Sequence, residues 1–373
     1  MKKIVRIVWT ILSVVVMTVY LLSCLSPFIP PSSFSYLSLL ALVFPFLFAA
    51  ALLCAAGYFF IKKGAALLIL LVIIAAGFKN LHSMFAFNLP GWQMQKQTGS
   101  LRIMTWNVET FLNFYPSTNP ASKPRFEMYD VIKQYNPDVL CVQEMRDVQG
   151  PDFGSSKKEV IQLGYPYVYF SNDSIEPIDH ADTAYSGVAI FSRLPLTDSA
   201  RINIRNKGMN ENMIYADIAL GNKKLRIFTG HLASLNLYID TLYEPSSPDN
   251  IYEKTYKRKR KIEYRFREGE ITHEQETAII RQQIKASPYP AVYCGDNNAT
   301  PASYNYHYLK ADMKDAFIQK GSGFGGTFYK ILPTLRIDVC FVNSALNILQ
   351  CTVPQAELSD HFPVVTDIAW KKN

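Results

Sequence analysis

Between Ile4 and Phe78 the chain carries three long apolar runs and no acidic residue, too little polar surface for helices of a water-soluble protein. Residues 4–25 make a run of 22 charged only at Arg6, against the ~20 needed to cross a hydrocarbon core. They read as a first spanning helix. After an uncharged Pro/Ser turn at 26–35, the 26 uncharged residues 36–61 read as a second. Lys62-Lys63-Gly64 then interrupts the pattern, and residues 65–78 resume it for 14 residues, about 21 Å of helix at ~1.5 Å each. The third span is therefore expected to be the weak one. It continues through Leu81, Met84, Phe85 and Phe87 only if Lys79 snorkels toward the headgroups.

Placing cationic loops on the cytoplasmic side puts Lys2, Lys3, Arg6 and the Lys62-Lys63 pair there. A crossing third helix then carries everything beyond about residue 90 out of the cytoplasm. The expectation is an integral protein of the inner or plasma membrane: two or three spanning helices in residues 1–90, a polar linker over 91–100, and an extracytoplasmic domain over 101–373. The bilayer is one expected partner, and no obligate protein partner is evident.

Charge agrees with this division. The chain's 38 Lys and Arg exceed its 31 Asp and Glu by seven, and residues 1–100 hold seven basic residues and no acid. Residues 101–373 are therefore neutral, and the net +7 is no sign of a nucleic-acid-binding surface. With 49% hydrophobic residues, 13% aromatics and six Cys, the chain is not a disordered, collagenous or disulfide-stapled one. The cysteines show no CxxC or metal-ligand spacing and read as buried free thiols.

From Leu101 the apolar runs become short and end in polar clusters. LRIMTWN, DVLCVQE, GVAIFS, KLRIFTGHL, AVYCGDNN, RIDVCFV and FPVVTDIAW combine β-branched and aromatic residues as strands do. Residues 125–135 and a long polar stretch over 251–285 are the helical candidates. Such a mixture suits one α/β unit with two facing sheets. Asn107, Glu144, His231, Asp296, Asn298, Asp338, Asp360 and His361 each stand at the end of an apolar run, where strand ends converge on one rim. Any one of them alone reads as a turn or cap residue. Together, four carboxylates, two imidazoles and two amides supply what phosphoester hydrolysis requires: oxygen ligands for a hard divalent ion, a base for water, and neutral donors to phosphoryl oxygens.

The order of these segments resembles the endonuclease/exonuclease/phosphatase family: TWN at 105–107, QE at 143–144, SGVAIFS at 186–192, GHLAS at 230–234, GDNNATP at 295–301, RID at 336–338 and SDHFPV at 359–364. The resemblance covers 101–373 and implies a four-layer α/β sandwich, two mixed sheets flanked by helices. It implies Mg²⁺ or Mn²⁺ as cofactor, Glu144 as principal metal ligand, and Asn107, Glu109 and Asp360 close to the ion. It makes His361 a general base or charged stabiliser oriented by Asp338, and gives Asp296 and Asn298 the attacking water and the phosphate. His231 stands where deoxyribonuclease-like and sphingomyelinase-like members carry a His, and is expected to protonate the leaving oxygen. The expected substrate is a nucleic acid, a phospholipid headgroup or a small phosphate ester. The alternative is a catalytically silent binding module of the same fold, which need not have kept Glu144, Asp296 and His361 together.

Ser186, Gly187 and Ser192 are expected to serve hairpin geometry, and GSGFGG at 321–326 reads as a flexible surface loop with Thr327 and Phe328 facing substrate. The basic run Lys257, Arg258, Lys259, Arg260, Lys261, Arg265 and Arg267 reads as a solvated helix face, with phosphate or anionic membrane binding as its rival. Residues 235–284 read as a substrate-selecting insertion.

Overall fold

The computed structural model describes residues 2–112, 119, 122–150, 154–178, 182–205, 212–234 and 251–371, with the backbone alone at 2 and 251–263. It separates into two compact units. One holds Met1–Ser83, Ala233–Thr277 and Ala299–Tyr308; the other holds Met84–Leu232, Ala278–Asn298 and Leu309–Asn373.

The helical unit begins with α1 (Lys2–Ser23), α2 (Pro31–Phe34), α3 (Tyr36–Leu42), α4 (Phe44–Phe59) and α5 (Lys63–Met84). Two of these, α1 and α5, are long and apolar enough to cross a membrane, at 22 residues each. The run expected to be a continuous second span is instead bent by 72° between α3 and α4. The cause is Pro45, which has no N–H to give and whose ring obstructs the preceding turn. Conversely, the run expected to be short is full length, because Lys79 does not end it. Its ammonium sits 4.0 Å from the centre of the Phe28 ring, a cation–π contact that accommodates the charge.

Helix directions follow from the contacts. Tyr20 OH donates to Ile73 O at 2.6 Å and Asn80 Nδ2 to Ser23 O at 3.2 Å, so the late residues of α1 meet those of α5 and the two run parallel. Trp9, early in α1, meets Gly57, late in α4, so closely that a Cβ at Gly57 would lie 2.1 Å from the indole. Helix α4 therefore returns antiparallel. Ile4, Val8, Ile11, Leu67, Leu68 and Leu71 all point outward, and only 11% of the apolar window in α1 is buried.

The second unit is built on two facing sheets. In the first, the order is β14 (Leu346–Thr352), β15 (Val364–Trp370), β2 (Leu101–Asn107), β3 (Val139–Gln149), β6 (Thr183–Ser192) and β4 (Tyr167–Phe170), with β5 (Ser174–Pro177) also paired to β6. The second runs β11 (Lys314–Asp315), β13 (Asp338–Val342), β10 (Ala291–Asp296), β9 (Lys223–His231), β8 (Met213–Leu220) and β7 (Leu196–Ile202). Both are mixed: β2 is parallel to β3 and β9 to β10, while β15 and β13 run antiparallel to their neighbours.

Side-chain alternation divides the core. Ile103, Cys141 and Ile190 of the first sheet share an interior with Ile227, Cys294 and Val342 of the second. Met104, Trp106, Leu140 and Phe191 face the other way, onto Met128 and Ile132 of α6 (Lys123–Tyr135) and Val160 of α7 (Ser156–Gln162). All seven expected strands form, as does a helix over Ile251–Lys285. The six cysteines are free and buried.

Residues 91–100, expected as a linker, are tied to the first sheet. Gln93 N donates to Gln350 Oε1 at 2.9 Å, Lys96 pairs with Asp138 at 2.6 Å, and Met94 O accepts from Arg102. The glycine-rich segment is likewise held: β12 (Ser322–Gly323) pairs with β1 (Ala86–Phe87), and Phe324 packs edge-on against Phe85 at 5.0 Å. Gly187 serves the sheet as expected, with φ +153 and no room for a Cβ beside Ser171 Oγ. Of the expected insertion, 235–250 lies outside the described residues, as do the side chains of Lys257 to Lys261; Arg265 is half-buried and Arg267 exposed.

Candidate active site

Strand register brings the first three groups together. Asp296, the last residue of β10, stands opposite His231 of β9 on one side and Asp338 of β13 on the other. Directly opposed residues share a face, so three polar side chains are set abreast at one sheet end. On the facing sheet, Asn107 stands opposite Gln143. Alternation would turn the next residue, Glu144, to the other face. A bulge between Val142 and Met145 and a left-handed backbone at Glu144 (φ 53) turn it back.

Asn107 then joins the two sheets. Its Nδ2 donates to Glu144 Oε1 at 2.9 Å and to Asp296 Oδ2 at 3.1 Å, while its Oδ1 accepts from Glu109 N at 3.2 Å. Glu109 opens a left-handed turn in which Glu109, Thr110, Phe111 and Leu112 all have φ between 45 and 66. Four consecutive non-glycine residues in that region are costly and mark a strained functional edge. The turn delivers Glu109 Oε2 to Asp360 N at 3.1 Å. Glu144, Asn107, Glu109 and Asp360 thus form one hydrogen-bonded chain.

His361 lies on the opposite flank. Its Nδ1 meets Asp338 Oδ2 at 2.8 Å and its Nε2 is 3.6 Å from Asp296 Oδ2. Burial alone would lower its pKa, but Asp338 and Asp296 outweigh that and push it up to about 10. Burial likewise works to raise Asp296, yet His361, His231, Asn298 N–H and Asn107 hold it below the usual carboxylate range. Asp338 is raised, by burial first and then by its neighbour Asp296. His231 Nε2 is 3.4 Å from Asp296 Oδ2, 3.8 Å from Glu144 Oε1 and 3.0 Å from Asn298 Nδ2. Asn298 has φ 45, an Asx bond from its N–H to Asp296 Oδ1 at 2.9 Å, and a second amide bond to Leu232 O at 3.0 Å.

All nine residues singled out in the sequence therefore meet at one place. Others there were not anticipated. Gln143, buried beneath the site, donates to Thr229 Oγ1 at 2.7 Å and locks the two sheets. Ser359 Oγ lies 2.7 Å from Asn107 O and accepts from His361 N at 3.2 Å, and Trp106 Nε1 donates to His361 O at 2.9 Å. Arg205 donates to His231 O at 2.8 Å. Thr327, expected to face substrate, is fully buried and accepts from Ile337 N and Asp338 N instead. Of these, the TWN, QE and SDH neighbourhoods carried a sequence signal, though not these contacts.

Two groupings offer metal donors. Asp296, Asp338 and His361 place ligand atoms within 4.8 Å of one another. They are nearly closed to solvent, however, and the imidazole Nδ1 is already engaged. Glu144, Glu109, Asp360 and Asn107 supply oxygen only, and the Glu144 and Glu109 side chains are 35% and 36% exposed. A hard divalent cation that retains waters fits the second grouping better.

Residues 104–361 match the model of the Endonuclease/Exonuclease/phosphatase family, and residues 2–84 match a domain of unknown function, DUF8431. Among solved structures, an endonuclease/exonuclease/phosphatase from Beutenbergia cavernae superposes with a TM-score of 0.51 at 20% identity, covering 73% of this chain and 72% of that one. The human Nocturnin catalytic domain, with bound sulfate anion, gives 0.51 at 19% identity, covering 74% and 95%. At such identities the likeness is one of fold. No curated protein matches the sequence.

Proposed function

Because the chain belongs to the Endonuclease/Exonuclease/phosphatase family, we propose that it is a divalent-metal-dependent phosphoester hydrolase held in a membrane by its N-terminal helices. The observation that carries this reading is the hydrogen-bonded line from Glu109 through Asn107 to Asp296, with His361 Nε2 3.6 Å beyond, which sets an open oxygen cluster beside a buried carboxylate–imidazole pair.

Glu144, Glu109, Asp360 and the Asn107 carbonyl would hold Mg²⁺ or Mn²⁺, which when bound polarises phosphoryl oxygens and water. The chain's own groups do the rest. Asp296 accepts a hydrogen bond from the attacking water, orients it and takes up its proton as the new P–O bond forms. Asp338 fixes the His361 ring through Nδ1, which leaves Nε2, as an imidazolium N–H, to meet the negative charge on the phosphoryl oxygens. Asn298 and His231 flank the same carboxylate. One amide N–H, turned from His231 Nε2, donates to a phosphoryl oxygen, and His231, protonated at Nε2, delivers that proton to the leaving oxygen.

The parallel course of α1 and α5 supports sidedness. Lys2, Lys3 and Arg6 lie at the N-terminal end of α1, and Lys62 and Lys63 at that of α5. With both basic ends cytoplasmic and α3–α4 returning between them, Met84 leaves the membrane on the far side. We read the hydrolase domain as extracytoplasmic.

The experiment is turnover by the full chain in detergent, with Mg²⁺ or Mn²⁺, across DNA, RNA, phospholipids, inositol phosphates and a generic bis-ester. Metal-dependent cleavage lost in Glu144→Ala and His361→Ala supports the reading. Cleavage unchanged in both variants refutes the site.

A further inference from the structure

The chain leaves the site twice into the helical unit, after Leu232, one residue beyond His231, and after Asn298. Both departures are gripped at once. Ala233 N donates to Glu276 Oε2 at 3.0 Å, and Ala233 O meets His273 Nε2, so the helix Ile251–Lys285 holds both polar groups of one residue. After Asn298, residues 299–303 are all buried. Ser83 Oγ lies 2.7 Å from Pro301 O, and Ser26 Oγ lies 2.7 Å from Ala302 O. Asn80 Nδ2 donates to Ser26 Oγ at 3.3 Å and to Ser23 O at 3.2 Å, and the single Ser26 hydroxyl proton is shared between Ala302 O and Ser23 O, each at 2.7 Å. The ends of α1 and α5 thus hold two consecutive carbonyls. Ser32 N and Oγ meet Glu274 Oε2 and Oε1 at 2.8 and 2.9 Å, fastening α2 to the helix that grips Ala233.

These contacts all lie within the helical unit, and the link to the site is the peptide chain itself. Burying polar groups at the ends of apolar helices is costly unless each is matched, and these serines are matched to backbone carbonyls of one segment. Asn298 itself has a left-handed backbone, φ 45, which an asparagine tolerates and which its neighbours on both sides fix in place. On its N-terminal side the Asx bond to Asp296 does this; on its C-terminal side the anchored 299–303 segment does.

We propose that the helical unit holds the two chain segments that leave the site, with Ser26, Ser83 and Glu276 as positioning residues that act on His231 and Asn298 through the peptide chain. The inference rests on the reading of these two as working residues of a hydrolase. It gives the helices a purpose beyond attachment: turnover of a freely soluble ester depends on them too.

The test uses the full chain in detergent micelles, a soluble bis-ester, and the histidine Cε1–H resonances, with His231 identified by His231→Gln. In Ser26→Ala/Ser83→Ala, kcat falls about tenfold or more with KM within about twofold, and the His231 resonance moves. Glu274→Ala, which removes an exposed joint and does not threaten folding, lowers kcat several-fold. Wild-type kcat and an unmoved His231 resonance in the folded double variant overturn the proposal. If the double variant does not fold, Glu274→Ala decides it in the same way. If the unaltered chain cleaves no ester, the hydrolase reading fails, while the His231 resonance still decides whether the helices position the site.

Discussion

The two halves of the site differ in their access to water. Asp338, Asp296 and His361 have side chains no more than 5% exposed, while Glu144 and Glu109, a few ångströms away in the same hydrogen-bonded line, are about a third exposed. The buried half has its protons assigned by geometry: one imidazole between two carboxylates, with Thr327 and Ser359 holding the backbone on either side. The open half has only oxygens and a strained turn. The difference teaches that the fold separates two tasks that conflict in one place. Proton positions require exclusion of water, whereas a hydrated ion must enter and leave with its water.

The largest effect should come from removing the open half's central ligand. Glu144→Ala is expected to abolish metal-stimulated turnover, by about a thousandfold or more, with the melting temperature little changed. Calorimetric titration with Mn²⁺ alongside kcat checks it; metal affinity retained in a dead variant would move the ion to the buried half.

Next is Asp338→Asn, which keeps the hydrogen bond's shape and removes its charge. Turnover should fall about a hundredfold, and the His361 pKa, followed by NMR, should drop from about 10. The same pair makes stability depend on pH with a definite sign. A histidine whose folded pKa lies above the ~6.5 of the unfolded chain stabilises fully below that pH and loses the contribution as pH rises toward about 10. Metal-free unfolding by denaturant from pH 6 to 10 should show this decline, and Asp338→Asn should flatten it.

Thr327→Val is smaller. It leaves Ile337 N and Asp338 N without their shared acceptor, at about 1–3 kcal/mol of stability, and loosens the strand end that carries Asp338. A melting curve with kcat measured well below the transition checks both effects. Smallest should be Lys330→Ala, which breaks an exposed 3.8 Å contact with Glu109. Exposed pairs contribute about 0–1 kcal/mol, so an activity change beyond about threefold would show that Lys330 touches substrate.

Much of this was legible residue by residue. LRIMTWN is β2 to the residue, the strand within RIDVCFV begins at Asp338 and that within AVYCGDNN ends at Asp296, because a strand needs a local pattern that survives in the sequence. The chemistry-bearing residues were legible for the same reason, since each ends such a pattern. The hydrogen bonds of Gln143, Thr327 and Ser359 were not. Each of these residues acts through a hydrogen bond to a residue distant in the chain, 86 positions away for Gln143 and Thr229, and an isolated polar residue gives no sign of its partner. Among the helices, composition identified the apolar runs but misjudged where they break. The Lys79–Phe28 contact and the Pro45 bend are decided by what lies beside each residue.

By itself, then, the sequence determined what is local and periodic: apolar lengths that suit a bilayer, alternation that makes strands, and the types of side chain at the strand ends. Tertiary structure decided what depends on register and approach. A bulge turned Glu144 back toward Asn107, three strands set His231, Asp296 and Asp338 abreast, and the ends of α1 and α5 took hold of the segment just beyond Asn298. The physical reason is that a hydrogen bond acts over about 3 Å of space with no regard to separation along the chain.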